Sequence, residues 1–181
     1  MSISKREFNV IAAVAMNGVI GNSVSNTIPW HIPADLKAFK EITSHKTVVM
    51  GSNTLVSIGK ALPNRKNVVI TRDPSKIASY GIGEGSCYSN LSEVFESEAP
   101  DLFVLGGERI YRDALLIGPR HMYITVVNLE PEGDVYFPLP GHHFIEDVVY
   151  TGAGHRYECT HRTEWMTENG IEFMMTRFDR D

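Results

Sequence analysis

The sequence predicts an α/β fold: a single domain on a predominantly parallel central sheet, with an antiparallel C-terminal edge and helices on both faces. Three observations predict it. Short β-branched runs alternate with amphipathic stretches through the first two thirds of the chain, the pattern of strand–helix–strand units in a parallel sheet. The last third changes to runs with little helical signal, which suit antiparallel strands. At 181 residues, 43% of them hydrophobic, the chain is of single-domain size and can bury a core without staples.

The elements follow in order. Phe8 to Met16 is almost continuously apolar and ends at Asn17-Gly18, which reads as a strand buried on both faces. Pro33 to Thr43 reads as a helix with proline in its first turn. Thr47 to Met50 is a short strand that runs through Gly51-Ser52-Asn53-Thr54 into a short helix ending at Gly59. Asn67 to Thr71 is a third buried strand. Cys87 to Ser89 is a brief strand, Leu91 to Ser97 a helix, and Leu102 to Leu105 a fourth apolar strand. Two glycines then lead into a helix through Leu116, and Met122 to Asn128 is again a strand. Phe144 to Thr151, His155 to Thr163 and Gly170 to Phe178 complete the chain as antiparallel strands.

Composition excludes several classes. Lysine and arginine total 17 against 22 acids, a net charge of −5, which argues against a nucleic-acid or anionic-membrane partner. Two cysteines, Cys87 and Cys159, cannot build a disulfide framework, so a reducing compartment is expected. The apolar run Val10 to Met16 is far shorter than the ~20 residues of a membrane span. Lys5, Arg6 and Glu7 precede it and no cleavage signature follows, so no signal peptide is expected; the reading is a soluble, cytoplasmic protein. Gly81 to Gly85 mimics a dinucleotide fingerprint, but no apolar strand precedes it and no helix opens within it. His155, Cys159 and His161 lack the paired spacing of a metal site, and none is expected.

Asp35 stands out. At about 100° per residue, Phe39 falls about 40° and Ile42 about −20° from Asp35, with Lys37, Lys40 and Glu41 on the opposite side. A carboxylate therefore shares the apolar face. Two readings of it stay open: a first-turn acid serving the helix dipole, or a buried acid awaiting a donor-bearing ligand. Upstream, Asn17 to Asn22 and Ile28 to Ile32 form a long turn-rich connection, which in a compact domain usually serves function.

Six motifs together carry a resemblance: VIAAVAMNGVIGN (Val10 to Asn22), IPWHIPADLKAFK (Ile28 to Lys40), VVMGSNTLVSIG (Val48 to Gly59), LPNRKNVVITR (Leu62 to Arg72), VLGGERIY (Val104 to Tyr111) and EGDVYFP (Glu132 to Pro138). In these the chain closely resembles dihydrofolate reductase, in family order and over roughly Phe8 to Phe178. The resemblance implies a domain over residues 7–179 that reduces 7,8-dihydrofolate to 5,6,7,8-tetrahydrofolate. NADPH would give a hydride to pterin C6, with protonation at N5 promoted by Asp35. The product would feed one-carbon metabolism and thymidylate synthesis, and the family is an antifolate target.

Residue by residue, the resemblance implies that Asp35 hydrogen-bonds the pterin 2-amino and N3 groups and that Thr125 hydrogen-bonds Asp35. Ile11, Leu36, Phe39, Ile58, Leu62, Leu105 and Tyr111 match the substrate pocket; for the wall residues plain core packing remains the alternative. Arg65 matches the residue that grips the substrate's glutamate carboxylate, a role suited to a planar guanidinium, and Lys60 is a further cation nearby. For the cofactor, Ala13, Ile20, Gly21 and Asn22 match the nicotinamide side, with the adjoining loop running to Thr27. Ser52, Asn53, Thr54, Gly106, Gly107, Glu108, Arg109 and Ile110 lie at two strand-to-helix junctions of the kind that favour phosphate, and the Gly106–Gly107 bond is implied to be cis. Ser52 replaces a common family arginine. Thr71 and Arg72 match the other contacts to the cofactor's 2′-phosphate, so NADPH is expected over NADH, with Arg72 the main discriminator. No metal is implied, and a monomer is expected. A riboflavin-pathway reductase shares the fold but lacks the Trp30, Pro33, Asp35 arrangement. A non-catalytic relative would have lost Asp35 or Gly106-Gly107, and both stand here.

Overall fold

The computed structural model describes residues 7–181; Lys5 and Arg6, the charged flank of the first apolar run, lie outside them. The strands are β1 (Asn9–Ala15), β2 (Val19–Gly21), β3 (Thr47–Gly51), β4 (Lys66–Ile70), β5 (Cys87–Tyr88), β6 (Phe103–Val104), β7 (His121–Val127), β8 (Val135–Tyr136), β9 (Val148–Tyr150), β10 (Arg156–Arg162), β11 (Met166–Glu168) and β12 (Ile171–Arg180). The helices are α1 (Pro33–Thr43), α2 (Ser52–Ile58), α3 (Leu91–Ser97) and α4 (Glu108–Ile117).

One ten-stranded sheet runs in the order β5-β4-β3-β6-β1-β7-β12-β10-β9, with β11 added beside β12. The pairs from β5 to β7 are parallel. From β12 onward every pair is antiparallel. This is the α/β class that the alternation predicts. β1 sits between β6 and β7, with Ala13 opposite Thr125.

Alternation along the strands sends side chains to two cores. Val10 and Val14 of β1 join Val49, Val68, Val104 and Met122, packed with Leu91, Val94 and Phe95 of α3 and Ala114 and Leu115 of α4. Ile11, Val48, Met50 and Val69 face the other way, toward Leu55 of α2 and Phe39 and Ile42 of α1. Helices therefore cover both faces. Each fully buried aliphatic side chain contributes ~1.5–3 kcal/mol over leaving it exposed, which is why β1 is apolar at successive positions.

The helix ends follow from local chemistry. Pro33 opens α1, where its missing N–H costs nothing. At the far end Thr43 Oγ1 donates to the Phe39 carbonyl (2.7 Å) and Ser44 leaves helical geometry. α2 ends at Gly59, whose φ of +88° is open to glycine at little cost.

Several expectations change in detail. Phe144 and Ile145 belong to a 3₁₀ turn over Gly141–Ile145, and only Val148–Tyr150 of that run is strand. His142 and His143 sit in the same turn. A second 3₁₀ turn, Pro74–Tyr80, follows β4, capped by Asp73, whose carboxylate accepts from the Ser75 amide. The small β2–β8 sheet and the β11 strand carry too few residues to show a period.

Candidate active site

A cleft of about 1580 Å³ opens at the carboxyl ends of β1, β3, β4 and β6, where open α/β sheets place their ligands. Pockets for one small ligand run roughly 300–1,000 Å³, so this one has room for two side by side.

Asp35 lies in the first turn of α1, half-buried in the cleft wall. The Thr125 hydroxyl, from β7, donates to its Oδ1 at 2.6 Å. Burial pushes its pKa up from the usual 3.8, and the Thr125 hydrogen bond pulls partly the other way. Of the two open readings, the apolar-face one describes its surroundings: Leu36, Phe39 and Ile42 continue the same wall. The amide of Ala34, one residue before, donates to Glu168 Oε1 of β11 at 2.7 Å. A carboxylate from a distant strand thus satisfies a free amide of the helix start, which Ile32 at the cap position has no side chain to do.

Tyr111 of α4 is buried behind Asp35. Its hydroxyl lies 2.8 Å from the Ile11 carbonyl and 2.7 Å from that of Leu105, so its single proton sits between two acceptors. Burial, then the negative charge of Asp35, raises its pKa, and the phenol stays neutral.

The Gly106–Gly107 peptide is cis. Gly106 has φ +118°, and a Cβ there would meet the Tyr111 ring at 3.1 Å. A side chain would be strained by that φ and would crowd the ring. The Gly51 amide donates to the Gly106 carbonyl at 2.9 Å, locking the end of β3 to this turn. A Cβ on Gly107 would stand 3.5 Å from Thr54 Oγ1, an ordinary contact that puts this turn against the start of α2. The floor is bare backbone beside a helix start, and such a surface suits an anionic nucleotide.

The connection between β2 and α1 crosses the cleft. Asn22 pairs with Thr27. Ser57 Oγ of α2 donates to the Asn26 carbonyl at 2.9 Å, and Asn26 Nδ2 reaches the Asn53 carbonyl at 3.4 Å. On the other side, Asp134 accepts from the Ser23 amide (2.7 Å) and from its hydroxyl. The loop is tied down at both ends.

Of the expected substrate residues, Ile11, Asp35, Leu36, Phe39, Ile58, Leu105, Tyr111 and Thr125 line the cleft. All the expected cofactor residues line it too: Ala13, Ile20, Gly21, Asn22, Ser52, Asn53, Thr54, Thr71, Arg72, Gly106, Gly107, Glu108, Arg109 and Ile110. Three expected residues do not. Lys60 is exposed beyond the end of α2, and Leu62 packs into the core with Phe39. Arg65 lies over the Phe39 ring at 5.8 Å, donating to the Thr43 hydroxyl (3.0 Å) and the Pro63 carbonyl (2.9 Å). It borders the cleft instead of lining it.

Lys76, Ser89 and Asn90, not among the expected site residues, also line the cleft. Asp73-Pro74-Ser75 is a readable turn start, and could have placed Lys76 beside the strand end at Arg72. Asn90, with Glu93 three residues on, is likewise a readable helix start: its Oδ1 accepts from the Glu93 amide at 3.0 Å.

A family model for dihydrofolate reductase matches residues 7–163. Over 130 residues the chain is 40% identical to dihydrofolate reductase type 3 of Salmonella typhimurium, an overlap of 72% of this chain and 77% of that protein. It is 39% identical, also over 130 residues, to the dihydrofolate reductase of Bacillus subtilis (strain 168), covering 71% and 73%. Among solved structures it resembles dihydrofolate reductase from Enterococcus faecalis complexed with NADP(H) and RAB-propyl. The TM-score is 0.74 at 25% identity, with 97% of this chain and 96% of that one covered.

Proposed function

The chain belongs to the dihydrofolate reductase family, and we propose that it reduces 7,8-dihydrofolate to 5,6,7,8-tetrahydrofolate with NADPH, protonation of the pterin being promoted by Asp35. The observation that carries this reading is the Asp35 carboxylate. It lies half-buried in the wall of a cleft large enough for two ligands, with one oxygen taken by Thr125.

Thr125 occupies Oδ1, so Oδ2 is free to accept from a flat donor edge. The pterin presents such an edge in its 2-amino and N3 hydrogens. Protonation at N5 makes the ring cationic, and an anion held in a half-dry wall stabilises that charge more than water would. Burial costs Asp35 part of its preference for ionisation, and the donors of the substrate restore it. Leu36, Phe39 and Ile58 form the apolar wall for the rest of the substrate. Arg65, at the rim over Phe39, is suited to grip the terminal carboxylate bidentately.

When bound, NADPH supplies the hydride for pterin C6. The residues present fit it: at Gly106 the positive φ and the Tyr111 ring leave the floor as bare backbone, and Arg72 and Arg109 line the same cleft. Ala13, Ile20 and Gly21 flank the place where the two ligands would meet, and the tethered loop from Asn22 to Thr27 limits water there. The reading extends to a cytoplasmic monomer, folded over residues 7–179, that supplies tetrahydrofolate for one-carbon metabolism.

The test is dihydrofolate-dependent oxidation of NADPH by the purified protein, followed by the loss of NADPH absorbance. Turnover that requires both ligands is expected. A folded protein that binds both and turns over neither overturns the reading.

A further inference from the structure

The cofactor site proposed above is short of positive charge. The resemblance implies an arginine where Ser52 stands, so one cation expected at the 2′-phosphate is replaced by a hydroxyl. The far end of the cleft supplies another. After β4 the chain passes Thr71 and Arg72, then turns back in the 3₁₀ helix Pro74–Tyr80, where the Lys76 amide donates to the Asp73 carbonyl at 3.2 Å. That turn keeps Lys76, four residues past Arg72, on the cleft that Arg72 and Ser89 also line. Both cations are exposed, and neither is engaged in an ion pair among the described residues. Their charge is available to a ligand.

Asp73, which stands between them in the sequence and lines the same cleft, would repel a phosphate. The structure turns it aside. Its Oδ1 accepts from the Ser75 hydroxyl at 2.5 Å and from the Ser75 amide at 3.1 Å. The hydroxyl, then the amide and the Lys76 ammonium, hold its pKa below the usual 3.8. An acid at the end of such a strand is what nature uses to hold a bare ribose hydroxyl, whereas cations there accommodate a 2′-phosphate.

We propose that Lys76 is a second determinant, beside Arg72, of preference for the 2′-phosphorylated nicotinamide cofactor, and that Ser75 helps by occupying Asp73. The inference rests on the NADPH reading above. Because the dianion needs more than one cation at an exposed site, where a single pair is weak, Lys76 takes the place of the absent arginine at Ser52.

Calorimetric titration of the purified protein with NADPH and with NADH tests it without relying on turnover. Lys76→Met lowers the NADPH-to-NADH affinity ratio by about fivefold, the size of one charge-assisted contact partly screened by water. Lys76→Arg keeps the ratio, and Asp73→Asn raises it. The salt dependence of NADPH affinity becomes shallower in Lys76→Met. Equal weakening of both cofactors, or an unchanged ratio, overturns the inference while leaving the NADPH reading intact. A wild-type protein that binds neither cofactor overturns both.

Discussion

Asp35 concentrates the conflict between stability and chemistry in one residue. A carboxylate on the apolar face of α1 is raised in pKa by burial, only partly offset by Thr125. Above its folded-state pKa the buried anion costs stability. The cost shrinks as pH falls through that value and vanishes below the unfolded value of 3.8, because there both states are protonated. Asp35→Asn removes the charge while keeping an oxygen to accept from Thr125. It is expected to raise the unfolding midpoint at pH 7 to 8, by about 1 kcal/mol in denaturant titrations, with the gap closing near pH 3. An equal gap at both pH values would show that charge burial is not its source. The helical wheel alone places Asp35 among apolar neighbours; its partner Thr125 is 90 positions away and entered the sequence reading only through the resemblance. Arg65 shows the opposite limit. Its residue type suits a carboxylate, but only the fold reveals that Phe39 and Thr43 hold it at the border of the cleft.

At the scale of elements, α1 needs support from outside itself. Its start has no side-chain cap of its own, and Glu168 of β11 accepts the Ala34 amide from 134 positions along the chain. Helix-cap contacts contribute ~0.5–2 kcal/mol. Glu168→Ala is therefore expected to lower stability by about 1 kcal/mol in urea titrations, while Glu168→Gln, whose carbonyl still accepts, stays near wild type. Loss of the same size in both variants would assign the effect to charge instead. α1 and α3 were readable to the residue, because proline, periodicity and caps all act locally. β8 and β11 were not, since two or three residues carry no period. Their existence depends on partners: β8 on β2, and β11 on the long final strand β12. The Phe144–Thr151 run misled for a related reason, as Phe144 is buried from a 3₁₀ turn. An apolar residue reports burial before it reports geometry.

For the whole molecule, the acidic balance of −5 and two anionic ligands are reconciled by locality. The sheet gathers the carboxyl ends of four parallel strands into one cleft. The loops and helix starts there bring Arg72, Lys76, Arg109 and bare backbone to that cleft, so recognition of the proposed ligands need not depend on the global field. The alternation of strands and helices made this architecture legible, and the glycine pair marked its floor. Which residues meet across the cleft was not legible, because those meetings are made by chain reversals such as Pro74–Tyr80. The central claim is that this cleft reduces dihydrofolate with Asp35 promoting protonation. Its most direct test is the single-turnover rate of dihydrofolate reduction, at saturating NADPH and across pH, for wild type and Asp35→Asn. The account predicts a variant that still binds both ligands but is slower at pH 7 by about 100-fold or more, within the 10²–10⁴ range for acid–base assistance. Part of the rate should return as pH falls and solvent protonates N5 unaided. A variant that matches wild type at neutral pH would contradict the account.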